Sequence, residues 1–392
     1  MSKNIQFYIF MFLQTYMFGF VYANSGVRKS LLLATLAITC IASHYYIKTY
    51  QKPLKFLSLF VIINSLTCMY FRDQSLFQYY SGKEFISLLG LLSMFAMPYF
   101  KVSPYKLEKL IQSFAIFFIF VYLLQYFLPI PVFKEIVEAG NVDLDARLRM
   151  PGQALISLIG LFSFAKLTNA IEWKSAVFFG LSCLCLLILD FRSQLAAFAL
   201  CIVVLLFSMK KMSKRTIVVV VFLCVGVIGA VQTPVVQNKI DKIAQRQERG
   251  DNFDNDKYAR VRSYEAFTQE LPKNNIERIF GLGLPNGNSE WGKTVDYLKN
   301  FSVVWSDWGL IGLSWMLGIP GVFCLLWYCV IALRLPVKKE HYYLKVWILY
   351  MLIASILTRE FFREGNYAIQ GGVLFLISEL SRINNSPKEV RK

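Results

Sequence analysis

Apolar runs long enough to cross a bilayer recur along this chain from Ile5–Ala23 to the stretch around Leu374, and no other feature constrains its fold so strongly. Apolar residues fill 56% of 392 positions, leaving no room for a soluble domain of ordinary size. The expectation is an all-α, polytopic integral membrane protein with about twelve helices of roughly 17 to 25 residues. Their centres fall near Leu13, Ala37, Ile62, Gly90, Phe118, Leu161, Gly180, Cys201, Val225, Gly321, Met351 and Leu374.

Charge placement sets the orientation. The basic clusters IKTYQKPLK, KVSPYKLEK, KKMSKR, LRLPVKKEHYYLK and SPKEVRK share one face when twelve spans are threaded. By the positive-inside tendency that face is cytoplasmic, and both termini lie there. The whole chain, 1–392, reads as a single transmembrane domain, with one large helical outer loop, 233–300, between the ninth and tenth spans. A net charge of +17 raises the possibility of a nucleic-acid partner, but the cations sit in short clusters between apolar runs rather than on one face, which excludes it. All eight cysteines fall within apolar runs, so neither a disulfide framework nor a zinc site is indicated.

On the outer face, arginine displaces lysine wherever a charge borders an apolar run: Arg28, Arg72, Arg147, Arg149, Arg192, Arg359 and Arg363. The guanidinium is permanently charged, and its planar fork matches phosphate or carboxylate oxygens. Several forks around one depression would hold a multiply charged anion such as a diphosphate. Two plainer readings stand beside this one. A helix-end arginine can snorkel to headgroups, and Asp190, Glu360 and Glu364 are positioned to make ion pairs that need no ligand.

Within the large loop, Val236, Ile240 and Ile243 alternate with Lys239, Lys242, Arg246 and Arg249, the pattern of a basic amphipathic helix on a membrane face or of a solvated helix. Helical spacing resumes from Tyr258 to Leu271, ahead of Pro272, and GLGLPNG then reads as a glycine turn without nucleotide-binding spacing. Neither a GxxxxGK[ST] loop nor HExxH occurs, and the two histidines, His44 and His341, fall near the cytoplasmic side. Energy for any chemistry outside must then come from a preactivated substrate or a gradient. Trp291, Tyr297, Trp305 and Trp308 surround the outer end of the tenth span, where an interfacial belt explains them more simply than sugar stacking.

Taken in order, four stretches between Asp145 and Leu335 resemble the integral-membrane O-antigen polymerases and O-antigen ligases. In DARLRMPGQALISLIGL an arginine, Arg147 or Arg149, precedes a proline turn into a helix. DFRSQLAAFAL is similar to the family's arginine-opened span, with Arg192 at the arginine and Phe191 where the family has serine. ARVRSYEAFTQELPKNNIERIFGLG places Arg260 four residues before Tyr264 and ends on Gly281 and Gly283. DWGLIGLSWMLGIP supplies the Gly-Leu-Ile-Gly step at Gly309 to Gly312. Where ligases carry a histidine ahead of that step this chain has Leu298, which favours polymerase.

The resemblance implies inverting glycosyl transfer between undecaprenyl-diphosphate-linked saccharides, on the periplasmic side of a bacterial inner membrane, without cofactor or metal. It implies catalytic roles for Arg192 and Arg260, with Glu290 and Asp296 as candidate general bases and Asp190, Asp307 and Glu360 also open to that role. Arg147, Arg149, Arg262, Arg359, Arg363, Asp190 and Tyr264 would bind diphosphate or saccharide. The implied partners are the lipid-linked glycans, the bilayer, and a chain-length regulator and flippase of the same pathway. An O-antigen ligase is the alternative within the family. A secondary transporter or lipid-saccharide flippase is the alternative from another class, although charges near mid-membrane and a repeat between the halves are not apparent. A structural subunit without chemistry is separated from all of these by Arg192→Lys. A scaffold keeps its function, whereas a bidentate clamp loses most of its turnover in an in vitro glycan-transfer assay.

Overall fold

The computed structural model describes residues 2–17, 25–43, 48–128, 137–138, 147–148, 150–170, 172–189, 192–208, 237 and 259–385. Helices α1 (Lys3–Gln14), α2 (Ser25–Ser43) and α3 (Gln51–Arg72) lead into a broken run. It comprises α4 (Leu76–Ser81), α5 (Lys83–Leu89), a 3-10 turn at Gly90–Leu92, α6 (Ser93–Ala96) and a second at Met97–Phe100. There follow α7 (Pro104–Phe127), α8 (Ala154–Asn169), α9 (Trp173–Leu189) and α10 (Arg192–Ser208). The C-terminal part holds α11 (Ala259–Glu265), α12 (Asn275–Phe280), α13 (Glu290–Lys299), α14 (Gly309–Leu317), α15 (Ile319–Arg334), α16 (Tyr342–Ala354) and α17 (Asn366–Asn385). The fold is all-α; among the described residues its one β pairing joins Val137–Glu138 antiparallel to Arg147–Leu148.

α17 is the axis of the bundle, with every residue from Asn366 to Ser381 buried. It packs on the broken run, where Ser93 Oγ donates to the Ala368 carbonyl at 2.8 Å and the absence of a side chain at Gly371 makes room for Ser93. α3 lies along α15, α8 along α9, and α10 along α16. α7 starts where Ser103 caps the amide of Lys106 and Pro104 occupies the first turn, then runs for 24 residues, about 36 Å. At the opposite end of α7 from Phe127, buried Glu108 accepts from Tyr343 Oη at 2.7 Å and meets His341 Nδ1 at 2.9 Å.

All the expected span centres but Val225, which lies outside the described residues, fall within these helical segments. Among the described helices, α3 and α7 are long and apolar enough to cross a membrane, while α8, α9, α10, α15 and Lys29–Ser43 are apolar but shorter. Three expected spans are interrupted within the described residues, the first, Ile5–Ala23, leaving its helix after Gln14 with Tyr16 at φ +62°. The one around Gly90 is interrupted by 3-10 turns at Gly90 and Pro98, and the tenth breaks at Gly318, whose φ of +87° suits glycine and whose successor turn opens with Pro320.

The section from Ala259 docks onto this bundle through backbone. The Leu282 and Gly283 amides donate to the Trp315 and Met316 carbonyls at 2.7 and 2.9 Å. Asn64 Nδ2 reaches the carbonyls of Phe280 and Met316 at 2.5 and 2.8 Å. Gly283, at φ +93°, passes so close to α3 that a Cβ there would stand 2.2 Å from Cys68 Sγ. GLGLPNG is therefore a backbone wedge between α3 and α14.

A buried ion pair fixes the wedge. Arg72, at the end of α3, donates through Nε to Glu277 Oε1 at 2.6 Å and through Nη2 to Oε2 at 3.0 Å, and it also donates to the Leu271 carbonyl. Glu277 has a fully buried side chain and takes a further hydrogen bond from the Lys273 amide at 2.6 Å. The Arg72 guanidinium lies 4.8 Å from the Trp291 ring centroid. Arg72 is thus a structural ion pair, one of the plainer readings for an outer arginine. Arg72→Ala strands the Glu277 charge and should cost about 3–5 kcal/mol, read as a drop in thermal midpoint in detergent. Replacing both partners by Met and Leu should recover most of that loss.

Candidate functional site

The site is built around the turn from Ser355 to Gly365 that joins α16 to α17. Close backbone approaches hold it in place. Gly309 (φ +53°) sits where a Cβ would lie 2.0 Å from the Ser355 carbonyl oxygen, and Gly365 (φ +78°) packs on the backbone of Thr15. The Leu310 amide donates to the Ser355 carbonyl at 2.8 Å, Ser355 Oγ accepts the Phe361 amide at 2.6 Å, and Gln370 Nε2 donates to the Phe361 carbonyl at 2.6 Å.

Glu360, 1% exposed, anchors the turn to three other helices. Its Oε2 accepts from Gln153 Nε2 at 2.7 Å and Gln194 Nε2 at 2.8 Å, and its Oε1 from Asn366 Nδ2 at 3.2 Å. Gln153 directly precedes α8, and Gln194 is in the first turn of α10. Arg363, 5% exposed, brings Nε to 3.4 Å from the same carboxylate. Glu360 is thus held by three amide donors and lies beside the Arg363 cation.

Of the arginines carried by the resemblance, Arg260 contacts this turn directly. Arg260, in α11, donates through Nη2 to the Leu357 carbonyl at 3.5 Å, and its own carbonyl accepts from Trp308 Nε1 at 2.8 Å. Arg359, two residues beyond Leu357, is half-buried. Arg192 is exposed at the first position of α10, two residues before Gln194, which contacts Glu360. Tyr264 is 44% exposed, its ring 5.6 Å from Trp308 and 6.1 Å from Trp315. Arg260 and the accessible Tyr264 ring thus meet beside Trp308 and the turn.

The remaining expected residues are distributed differently. Glu290 and Asp296 lie on the exposed side of α13, paired with Lys293 at 2.6 Å and Lys299 at 2.5 Å within their own helix. Arg262 is half-buried, with Nε sequestered and without a hydrogen-bond partner among the described residues. The Arg147 backbone lies in the short β pairing, opposite Glu138, while its side chain, Arg149 and Asp190 lie outside the described residues, as do the side chain of Arg28 and the basic stretch Val236–Arg249 apart from Gln237. Trp291 and Trp305 are both buried: Trp291 Nε1 donates to the Gly283 carbonyl at 2.9 Å, and Trp305 stacks on Phe362 at 5.3 Å. Neither forms an interfacial belt or a sugar platform.

A second charged group, absent from the sequence reading, flanks Arg359. Glu84, in the first turn of α5, lies in the fields of Lys83, Glu364, Arg359 and Lys299 and faces a narrow cavity lined by Leu284, Leu313, Leu317, Phe362 and Tyr367. Lys83 pairs with Glu364 at 2.6 Å, and that carboxylate holds the Lys83 ammonium above its ordinary value against the opposing effect of burial. The signal that exposed the arginines, a charge at the edge of an apolar run, applies equally to Glu84. Among the described residues no group of three His, Cys, Asp or Glu side chains is arranged to hold a metal ion.

No family model and no curated protein sequence matches this chain.

Glu360→Gln presents an amide donor to two glutamine donors and leaves Arg363 beside a neutral group. About 2–4 kcal/mol should be lost, seen as a lower unfolding temperature by tryptophan fluorescence.

Proposed function

We propose that this chain is an integral-membrane glycosyltransferase that polymerises undecaprenyl-diphosphate-linked oligosaccharide repeat units on the periplasmic side of a bacterial inner membrane. In this reading the helices form about twelve spans with both termini cytoplasmic, and the section from 233 to 300 lies outside. The observation that carries it is convergence on one turn. Arg260 hydrogen-bonds Leu357, Arg359 follows two residues later, and the α10 end bearing Arg192 is tied to the turn through Gln194 and Glu360. Arg192 and Arg260 stand at positions that resemble the polymerase and ligase motifs.

The chemistry suits such a group. A sugar hydroxyl of the acceptor repeat unit attacks the anomeric carbon of the donor glycan, the bond from that carbon to the diphosphate oxygen breaks, and undecaprenyl diphosphate departs with the electron pair. The hydroxyl proton passes to a base or to water. Arg260, held by its hydrogen bond to the Leu357 carbonyl, acts with Arg192 and Arg359 to stabilise the charge developing on the diphosphate. Arg192 also stands at the N-terminal end of α10, where the helix dipole adds to its attraction for anions. Tyr264 offers its exposed ring to a sugar face. Glu84 and Glu364, beside Arg359, join Glu290 and Asp296 as carboxylates available to accept the proton.

Purified protein supplied with authentic lipid-linked repeat units, without nucleotide or metal, should yield a glycan ladder on a gel. Arg260→Ala and Arg192→Ala should each lower turnover about 10²- to 10³-fold while the unfolding temperature stays near wild type. Transfer to a lipid A core acceptor in place of a ladder would assign the ligase activity instead. Folded protein that performs neither transfer would overturn the glycosyltransferase reading.

A further inference from the structure

Gln153 and Gln194 are 2% and 1% exposed, and each directs its amide nitrogen at the same atom, Glu360 Oε2. That carboxylate fixes the orientation of both amides, because a flipped amide would set oxygen against oxygen. Both Oε1 atoms therefore turn away from Glu360, and among the described residues neither has a hydrogen-bond partner. Buried amide oxygens seldom go without a donor. The neighbouring protein donors are committed elsewhere. Asn366 Nδ2 serves the Glu360 carbonyl at 2.6 Å and Oε1 at 3.2 Å, and Trp347 Nε1 serves the Ala154 carbonyl at 3.0 Å and Ser157 Oγ at 3.1 Å. Ser157 Oγ itself donates to the Ala154 carbonyl at 2.9 Å. Fully buried Tyr350 places its hydroxyl beside Ser157, in the fields of Glu360 and Arg363.

The chemistry of the two orphaned oxygens selects their ligand. Amide oxygens accept and cannot donate, so an anion is excluded. A metal ion or ammonium would meet Arg363, whose Nε is already 3.4 Å from Glu360, in buried surroundings that screen like charges poorly. Water is neutral, brings two protons, and is retained inside proteins where two to four polar groups surround it. We propose that Gln153 and Gln194 hold ordered water inside the bundle, at an internal hydration site bounded by the start of α8, the first turn of α10 and Tyr350 of α16. The two amides that hold Glu360 are then satisfied at both ends, the condition under which a buried polar network keeps a single arrangement. The site does not depend on the glycosyltransferase reading.

Full-length protein in detergent would be exposed to a microsecond X-ray pulse, which turns bound water into hydroxyl radicals in place, and side-chain oxidation mapped by mass spectrometry. Tyr50 and Tyr328 serve as controls: like Tyr350 they are fully buried, but their hydroxyls are engaged by the Leu374 carbonyl at 3.2 Å and Gln370 Oε1 at 2.5 Å. Oxidation of Tyr350 is expected to exceed that of either control about fivefold. Gln153→Met with Gln194→Met removes both amide oxygens and should bring Tyr350 down to the control level. Wild-type Tyr350 oxidised no more than Tyr50 and Tyr328 would overturn the proposal, and so would a high Tyr350 signal that survives the double substitution in folded protein. A double variant that unfolds is replaced by Gln153→Met alone, judged by the same signal. A thermal midpoint raised by sodium or ammonium chloride but not by choline chloride would put a cation in the site and sink the water assignment.

Discussion

The buried carboxylate of Glu360 is the constraint on which the arrangement of the outer end depends. A charge at that depth is tolerated only with donors and a counter-charge, and here the donors come from the start of α8, the first turn of α10 and the first residue of α17, with the Arg363 Nε 3.4 Å away. Satisfying one side chain therefore brings together helices that are far apart in sequence. The turn carrying Glu360 is consequently a rigid platform, and side chains attached to it inherit defined positions.

That rigidity divides the arginines by role. Arg72 and Arg363 are committed to buried carboxylates and hold structure. Arg260 and Arg359 approach the platform differently, the first through a backbone carbonyl that leaves its charge uncancelled by that contact, the second half-buried at the surface. In the proposed glycosyl transfer, cations fixed in advance would act on the developing negative charge of the diphosphate without having to move first. The adjoining Glu84, Lys83 and Glu364 add groups of both signs, so proton acceptance and anion binding lie within one neighbourhood.

Much of the helical layout was legible because apolar runs of span length leave an unmistakable pattern, and the expected centres from Leu13 to Leu374 fall in helical segments wherever the structure describes them. The interruptions at Gly90 and Gly318 were not, since isolated glycines inside apolar runs do not announce whether they kink, pack or simply fill. Outer arginines were visible as a class, but their individual fates depended on partners distant in sequence: Glu277 is 205 positions from Arg72. The same distance effect hid the role of GLGLPNG, which reads locally as a turn and becomes a wedge only against Cys68 and Met316. Glu84 was not legible because the charges around it, Glu364, Arg359 and Lys299, are all more than 200 positions away in sequence.

Gly281 and Gly318 face one another across the wedge. Both have positive φ, and a Cβ on Gly281 would come within 2.4 Å of the Gly318 nitrogen, while one on Gly318 would come within 2.5 Å of the Phe280 carbonyl oxygen. Neither position has an escape through side-chain repacking, because the obstacle on each side is main chain. The two sites form a single evolutionary unit, free to drift only if the outer section and the helix break are remodelled together, so that any descendant keeping this junction keeps both glycines.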